Sequence, residues 1–252
     1  MIKRIQQKIK NLGKLTLFFM LTSCTFGAQA HDPQNTHQET PLLNQLSQKE
    51  IKEGWQLLFD GKTLNGWRKF HGEAATSPWK IEDGALMLEA KGGGDIITEH
   101  KYGSFILELD WKISPGGNSG IFYRVVEENQ KEIWWSGPEY QILDNDNQSY
   151  SPLATEKSAS LFALYAASED HTRPVGQFNK TRLVIKGQKV RHWLNGYLVA
   201  EYEINSEDWN DRIAKSKFSV FSKFGTEKRG HIGLQDHGHQ VWFRNIKILP
   251  LD

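Results

Sequence analysis

The chain has 252 residues, 31 of them basic and 30 acidic, and a single cysteine. One cysteine excludes an intramolecular disulfide and leaves thiol catalysis a poor fit. The formal charge of +1 falls to about −4 once a basic N-terminal leader is set aside, which argues against nucleic acid as a partner because phosphate binding needs a basic surface.

That leader carries Lys3, Arg4, Lys8, Lys10 and Lys14, then the apolar run Leu15 to Leu21, with no acid before Asp32. A basic segment followed by a short apolar one predicts a secretory signal, too short to persist as a spanning helix. Leu21-Thr22-Ser23-Cys24 resembles a bacterial lipobox and makes Cys24 the expected lipidation site. Ala28-Gln29-Ala30 is a competing site for ordinary cleavage. The expected organisation is a signal over residues 1–24, a polar tether over 25–46 and one domain over 47–252. The expected location is the periplasm, or a membrane held through the lipid alone.

In the domain, Ser47-Gln48-Lys49-Glu50 has the pattern of a capping box and predicts a short helical turn. Trp55 to Phe59 predicts a strand before the Asp60-Gly61 turn. Phe105, Leu107, Leu109, Trp111 and Ile113 alternate with Glu108, Asp110 and Lys112, the pattern of a half-buried strand. Gly116-Gly117 feeds Asn118 to Val125, and Glu139 to Leu143 follows after Gly137-Pro138. By strand parity Asn118, Phe122 and Arg124 share one face, and Glu139 shares one with Gln141, while Asp144 has the parity opposite to Glu139. Such a face is ordinarily solvated; two polar faces side by side would instead make a charged patch.

Val190 to Leu194, Asn195-Gly196 and Tyr197 to Tyr202 predict a hairpin, since a type I′ turn needs positive φ at both central residues. Ser206 is placed to cap a helix carrying Glu207, Asp208, Trp209 and Ile213, with Phe218 on an extension of the same spacing. Ile232 and Leu234 point inward, so His231 and Gln235 face outward, ahead of the turn Asp236-His237-Gly238-His239. Many short strands with a single helical excursion predict an all-β jelly-roll sandwich with one or two short helices. Most of the nine tryptophans are expected in the core; Trp134 and Trp135, in a predicted loop, are the candidates for exposure.

Histidine titrates nearest neutrality, so His237 is a candidate general acid or base, against the plainer reading of a polar turn. His237 and His239 are spaced to share a metal, although H-x-H alone is a weak signal and no H-E-x-x-H is present. Asp144-Asn145-Asp146-Asn147 lacks the glycine and distal glutamate of a calcium loop and is read as a turn. There is no Walker loop, G-x-S-x-G elbow or dinucleotide fingerprint.

Several stretches together resemble one family. They are Trp55-Gln56-Leu57-Leu58-Phe59-Asp60-Gly61 through Trp67, Asn118-Ser119-Gly120-Ile121-Phe122-Tyr123-Arg124, Glu139-Tyr140-Gln141-Ile142-Leu143-Asp144, Gly233-Leu234-Gln235-Asp236-His237-Gly238 and Phe243-Arg244-Asn245-Ile246. They are similar, in order, to motifs of the 3-keto-disaccharide hydrolase domain family. The resemblance implies a concanavalin-like jelly roll and cleavage of glycosides oxidised to a ketone at C3. The ketone acidifies the C2 proton, whose removal lets the aglycone leave C1 before water adds. On that reading Arg124 stabilises the ketone oxygen, and Glu139 and His237 carry the two proton transfers in either order. Asn118, Gln141, Asp144, Tyr165, Gln235 and Asp236 hold hydroxyls or orient the catalytic groups. No cofactor is implied with certainty, and a divalent cation could assist or replace Arg124. Two other readings are a sugar-binding module without catalysis and a two-carboxylate glycosidase pairing Glu139 with Asp144 or Glu108.

Overall fold

A computed structural model of the chain describes residues 42–147, 149 and 152–252. The leader, Cys24 and most of the expected tether lie outside the described residues. Near its end that tether is part of the domain: Asn44 is buried and exchanges backbone-to-side-chain hydrogen bonds with Asn245.

Ser47 caps α1 (Gln48–Glu53) and the reciprocal Glu50 contact completes the predicted capping box. The strands follow as β1 (Gln56–Leu57), β2 (Trp67–Lys69), β3 (Trp79–Glu82), β4 (Ala85–Leu88), β5 (Ile96–Thr98), β6 (Phe105–Ile113), β7 (Asn118–Val125) and β8 (Glu139–Leu143). After these come β9 (Asn179–Lys186), β10 (Lys189–Leu194), β11 (Tyr197–Glu203), α2 (Glu207–Ala214), β12 (His231–Leu234) and β13 (Val241–Pro250). One antiparallel sheet runs β11-β10-β9-β6-β13-β4-β3, with β1 added beside β13. The other runs β2-β5-β12-β7-β8. Two antiparallel sheets packed as a sandwich make the predicted jelly roll.

The core lies between the sheets. Phe105, Leu107, Leu109, Trp111 and Ile113 enter it from β6, and Ile121, Tyr123, Tyr140 and Ile142 enter from β7 and β8. The off-core residue Glu108 pairs with Arg182, Lys180 and Lys247 on its own sheet. The Asn195-Gly196 turn joins β10 to β11 with φ of 51° and 93°, as a type I′ turn requires. Ser206 caps α2, and the helix buries Trp209. The helical spacing does not continue to Phe218, however: α2 stops at Ala214, and a separate 3-10 turn, Lys217–Val220, follows.

Candidate active site

The outer face of the five-stranded sheet carries the site. Across β7 and β8, Phe122 sits opposite Glu139 and Gly120 opposite Gln141. Residues directly opposite share a face, so Asn118, Gly120, Glu139 and Gln141 point away from the core together. On the other side of β7, Gly233 is opposite Phe122, and the Gln235 N–H donates to Gly120 O at 3.0 Å. Gln235 and His237 therefore arrive at the same face. The loop after Val125 covers it with a 3-10 turn, Ile133–Trp135. A cavity of about 280 Å³ results. Asn118, Glu139, Gln141, Gln235 and His237 line it from the sheet and the turn after β12, and Trp134, Phe162, Lys217 and Phe218 line it from the connecting segments.

Gly120 makes room for the carboxyl. A Cβ there would lie 2.2 Å from Glu139 Oε1 and 2.7 Å from its Cγ. Glu139 is only 8% exposed, and no described residue donates a hydrogen bond to its carboxyl. Burial therefore dominates, pushing its pKa up to about 8; Lys217 opposes the shift and the charge of Asp95 adds to it. Asp95 itself is pushed up to about 7, first by burial, with the Asp236 N–H at 2.8 Å opposing and the charges of Asp236 and Glu132 adding. His237 moves the other way. Crowding by protein atoms lowers its pKa, the stacked His239 ring lowers it further, and Asp236 opposes. Both shifts favour the uncharged forms, so the cavity lining combines a carboxyl and an imidazole that each resist ionisation near neutral pH.

Three amide oxygens in the lining, on Asn118, Gln141 and Gln235, are buried without a hydrogen-bond partner. An unmade buried hydrogen bond costs about 1–3 kcal/mol. These acceptors converge with the aromatic wall of Trp134, Phe162 and Phe218, which suits a ligand with hydroxyl donors on its edges and apolar faces. Among the described residues no group of three or more His, Cys, Asp or Glu side chains is arranged to hold a metal ion.

The structure brings together Glu139, His237, Asn118, Gln141 and Gln235, and it places four other expected residues elsewhere. Arg124 is the main correction. Between Phe122 and Val125, β7 takes one more residue than β12 takes between Gly233 and His231. This bulge puts Arg124 at φ 55° and breaks the simple alternation. Its guanidinium is buried against Gly187 O, Gly225 O and Gln188 Oε1, outside the cavity lining. Asp144 accepts the Gly116 and Asp146 N–H groups and braces that turn. Tyr165 donates to Asp208 and stacks on Tyr202. Asp236 accepts from Gly92, Gly94 and Gly238, so it positions the loops bearing Asp95 and His237.

Strand parity overlooked Asp95 and Lys217. A carboxylate just before the apolar Ile96-Ile97, in step with the outward Ile97, was the available signal for Asp95. Nothing in the local pattern marks Lys217, because the 3-10 turn presents it only after α2 has stopped. Trp134 does line the cavity, as its loop position suggested.

A jelly-roll sandwich with a hydroxyl-accepting, aromatic-walled cleft defines a carbohydrate-active protein. Residues 54–249 match the 3-keto-alpha-glucoside-1,2-lyase-like domain, and the chain belongs to that family. It is 39% identical over 230 residues, 79% of each chain, to the 3-keto-disaccharide hydrolase of Bacteroides thetaiotaomicron. It also resembles a crystal structure from Parabacteroides distasonis, of a protein taken to be a glycosyl hydrolase, with TM-score 0.79 and 35% identity. That likeness covers 84% of this chain and 100% of the other. A second such structure from the same organism has TM-score 0.57 and 27% identity, over 74% and 100% of the two chains. The chain is a carbohydrate hydrolase.

Proposed function

We propose that the cavity takes a glycoside whose sugar carries a ketone at C3, and that it cleaves the glycosidic bond by elimination and rehydration. The observation that carries this reading is the inverted pair, a protonated Glu139 and a neutral His237 in one cavity. A neutral imidazole is too weak to deprotonate an ordinary sugar carbon, but a C3 ketone makes the C2 proton acidic enough for it. His237 removes that proton and leaves an enolate. As the enolate collapses, the C3 carbonyl re-forms, C1 and C2 become doubly bonded, and the C1–oxygen bond breaks. Glu139 gives its proton to the departing oxygen. Water then adds at C1 and a proton returns to C2, so the net change is hydrolysis. Acid–base assistance of this kind is typically worth about 10²–10⁴ in rate. The three unpartnered amide oxygens would accept the sugar's hydroxyls, and the relative's name supports the keto-sugar assignment.

A two-carboxylate displacement is the second reading. The pairs expected for it are placed apart: Glu108 is tied into ion pairs on the other sheet and Asp144 braces a turn. Asp95 revives it, because its charge acts on Glu139. The deciding assay compares aglycone release from a 3-keto-glycoside and its unoxidised parent, each with and without chelator. Release from the keto substrate alone is expected. Equal rates on both substrates would contradict the proposal, and the chelator arm reports any cation requirement.

A further inference from the structure

We propose that Lys217 is a catalytic residue whose ammonium stabilises the enolate formed at the C3 oxygen. The inference rests on the keto-sugar reading above. Lys217 lines the same cavity as Glu139 and His237. Its Nζ lies 4.5 Å from the Phe162 ring centroid, 4.9 Å from Trp134 and 5.3 Å from Phe218. Aromatic faces attract a cation without neutralising it. No described carboxylate lies within ion-pair distance of Nζ, and Glu139 and Glu156 act on it only from farther away.

Two facts make this charge the cavity's available cation. The one carboxyl among the described residues lining the cavity, Glu139, is pushed up to about 8 by burial, which favours its neutral form at neutral pH. The other expected cation, Arg124, is turned away into the bulge. The cavity therefore holds a fixed positive charge in the resting enzyme, where neither substrate nor product supplies an anion. The one anion in the proposed sequence is the enolate. A charge placed in advance where negative charge develops lowers the barrier without reorganisation at the moment of reaction. Lys217 as a residue is exposed to solvent, and the three rings hold Nζ against the cavity.

The test uses Lys217→Met and Lys217→Arg on a 3-keto-glycoside labelled with deuterium at C2, with folding checked by melting temperature. Lys217→Met should lower kcat by about 10²–10³ with KM changed only a few-fold, the usual effect of losing one such donor. Exchange of the C2 label should slow in parallel, and Lys217→Arg should recover part of both. Retention of kcat within about threefold by Lys217→Met, or a loss confined to KM, would overturn the role. So would recovery of sugar covalently fixed to Lys217 after borohydride, since that would make the residue an imine-forming nucleophile instead. If wild-type protein releases no aglycone from the keto substrate, the underlying reading fails, which is a separate and recognisable result.

Discussion

Glu139 and His237 are shifted in opposite directions, the buried carboxyl up and the imidazole down, although His237 is partly open to solvent. Burial disfavours charge, so it raises a carboxyl and lowers an imidazole. With Glu139 near 8 and His237 below its ordinary value, kcat/KM should follow a bell whose alkaline limb lies near 8. The acid limb marks protonation of the base and the alkaline limb marks ionisation of the acid. Asp95 supplies a check on that assignment. Its negative charge disfavours ionised Glu139, so Asp95→Asn should move the alkaline limb to lower pH. Asparagine keeps an oxygen for the Asp236 N–H, so the change is one of charge. An unmoved limb would show that Asp95 does not act on the acid. The sequence exposed Glu139 and His237 because strand parity and a dense polar turn mark them. It hid Asp95, whose charge acts on Glu139, and Lys217, which only the folded chain brings to the cavity.

The elements show the same division. The alternating β6, the Asn195-Gly196 hairpin, the capping box and the helix after Ser206 were all legible, because each has a local cause. The bulge in β7 was not, since one additional residue between paired strands leaves no trace in the apolar pattern. Its consequence was the wrong side for Arg124. That arginine bridges the five-stranded sheet to Gly187 and Gln188 of the β9–β10 turn and to Gly225 O, a structural task. Arg124→Met would leave buried carbonyls without donors, at a cost on the order of 2–4 kcal/mol. Denaturant unfolding should show that loss. At a temperature where the variant is folded, kcat should stay within a few-fold of wild type. A large loss of kcat with unchanged stability would restore the guanidinium to the chemistry.

For the whole molecule, the sandwich buries an ionisable group where it reacts and gives up stability to do so. In the unfolded chain a glutamate titrates near 4.5, and in the fold Glu139 titrates near 8. Between those values the native state holds a proton that the unfolded state has lost, so stability falls as pH rises across that window. Asp95 contributes a slope of the same sign up to about 7. Glu50 and Glu127, lowered to about 2 by their partners, act in the opposite sense: their stabilisation is present above 4.5 and is lost only as pH falls toward 2, outside this window. Glu139→Gln should therefore unfold at higher denaturant than wild type at pH 8, with the difference shrinking toward pH 5. A gap independent of pH would mean that Glu139 is not held protonated by the fold.

The most direct test of the account follows deuterium at C2 of a 3-keto-glycoside, corrected for spontaneous exchange. Elimination predicts that the released sugar has lost its label to solvent and that His237→Ala suppresses both washout and cleavage. Cleavage with the C2 deuterium retained would contradict elimination and leave displacement by Glu139 and Asp95 as the mechanism.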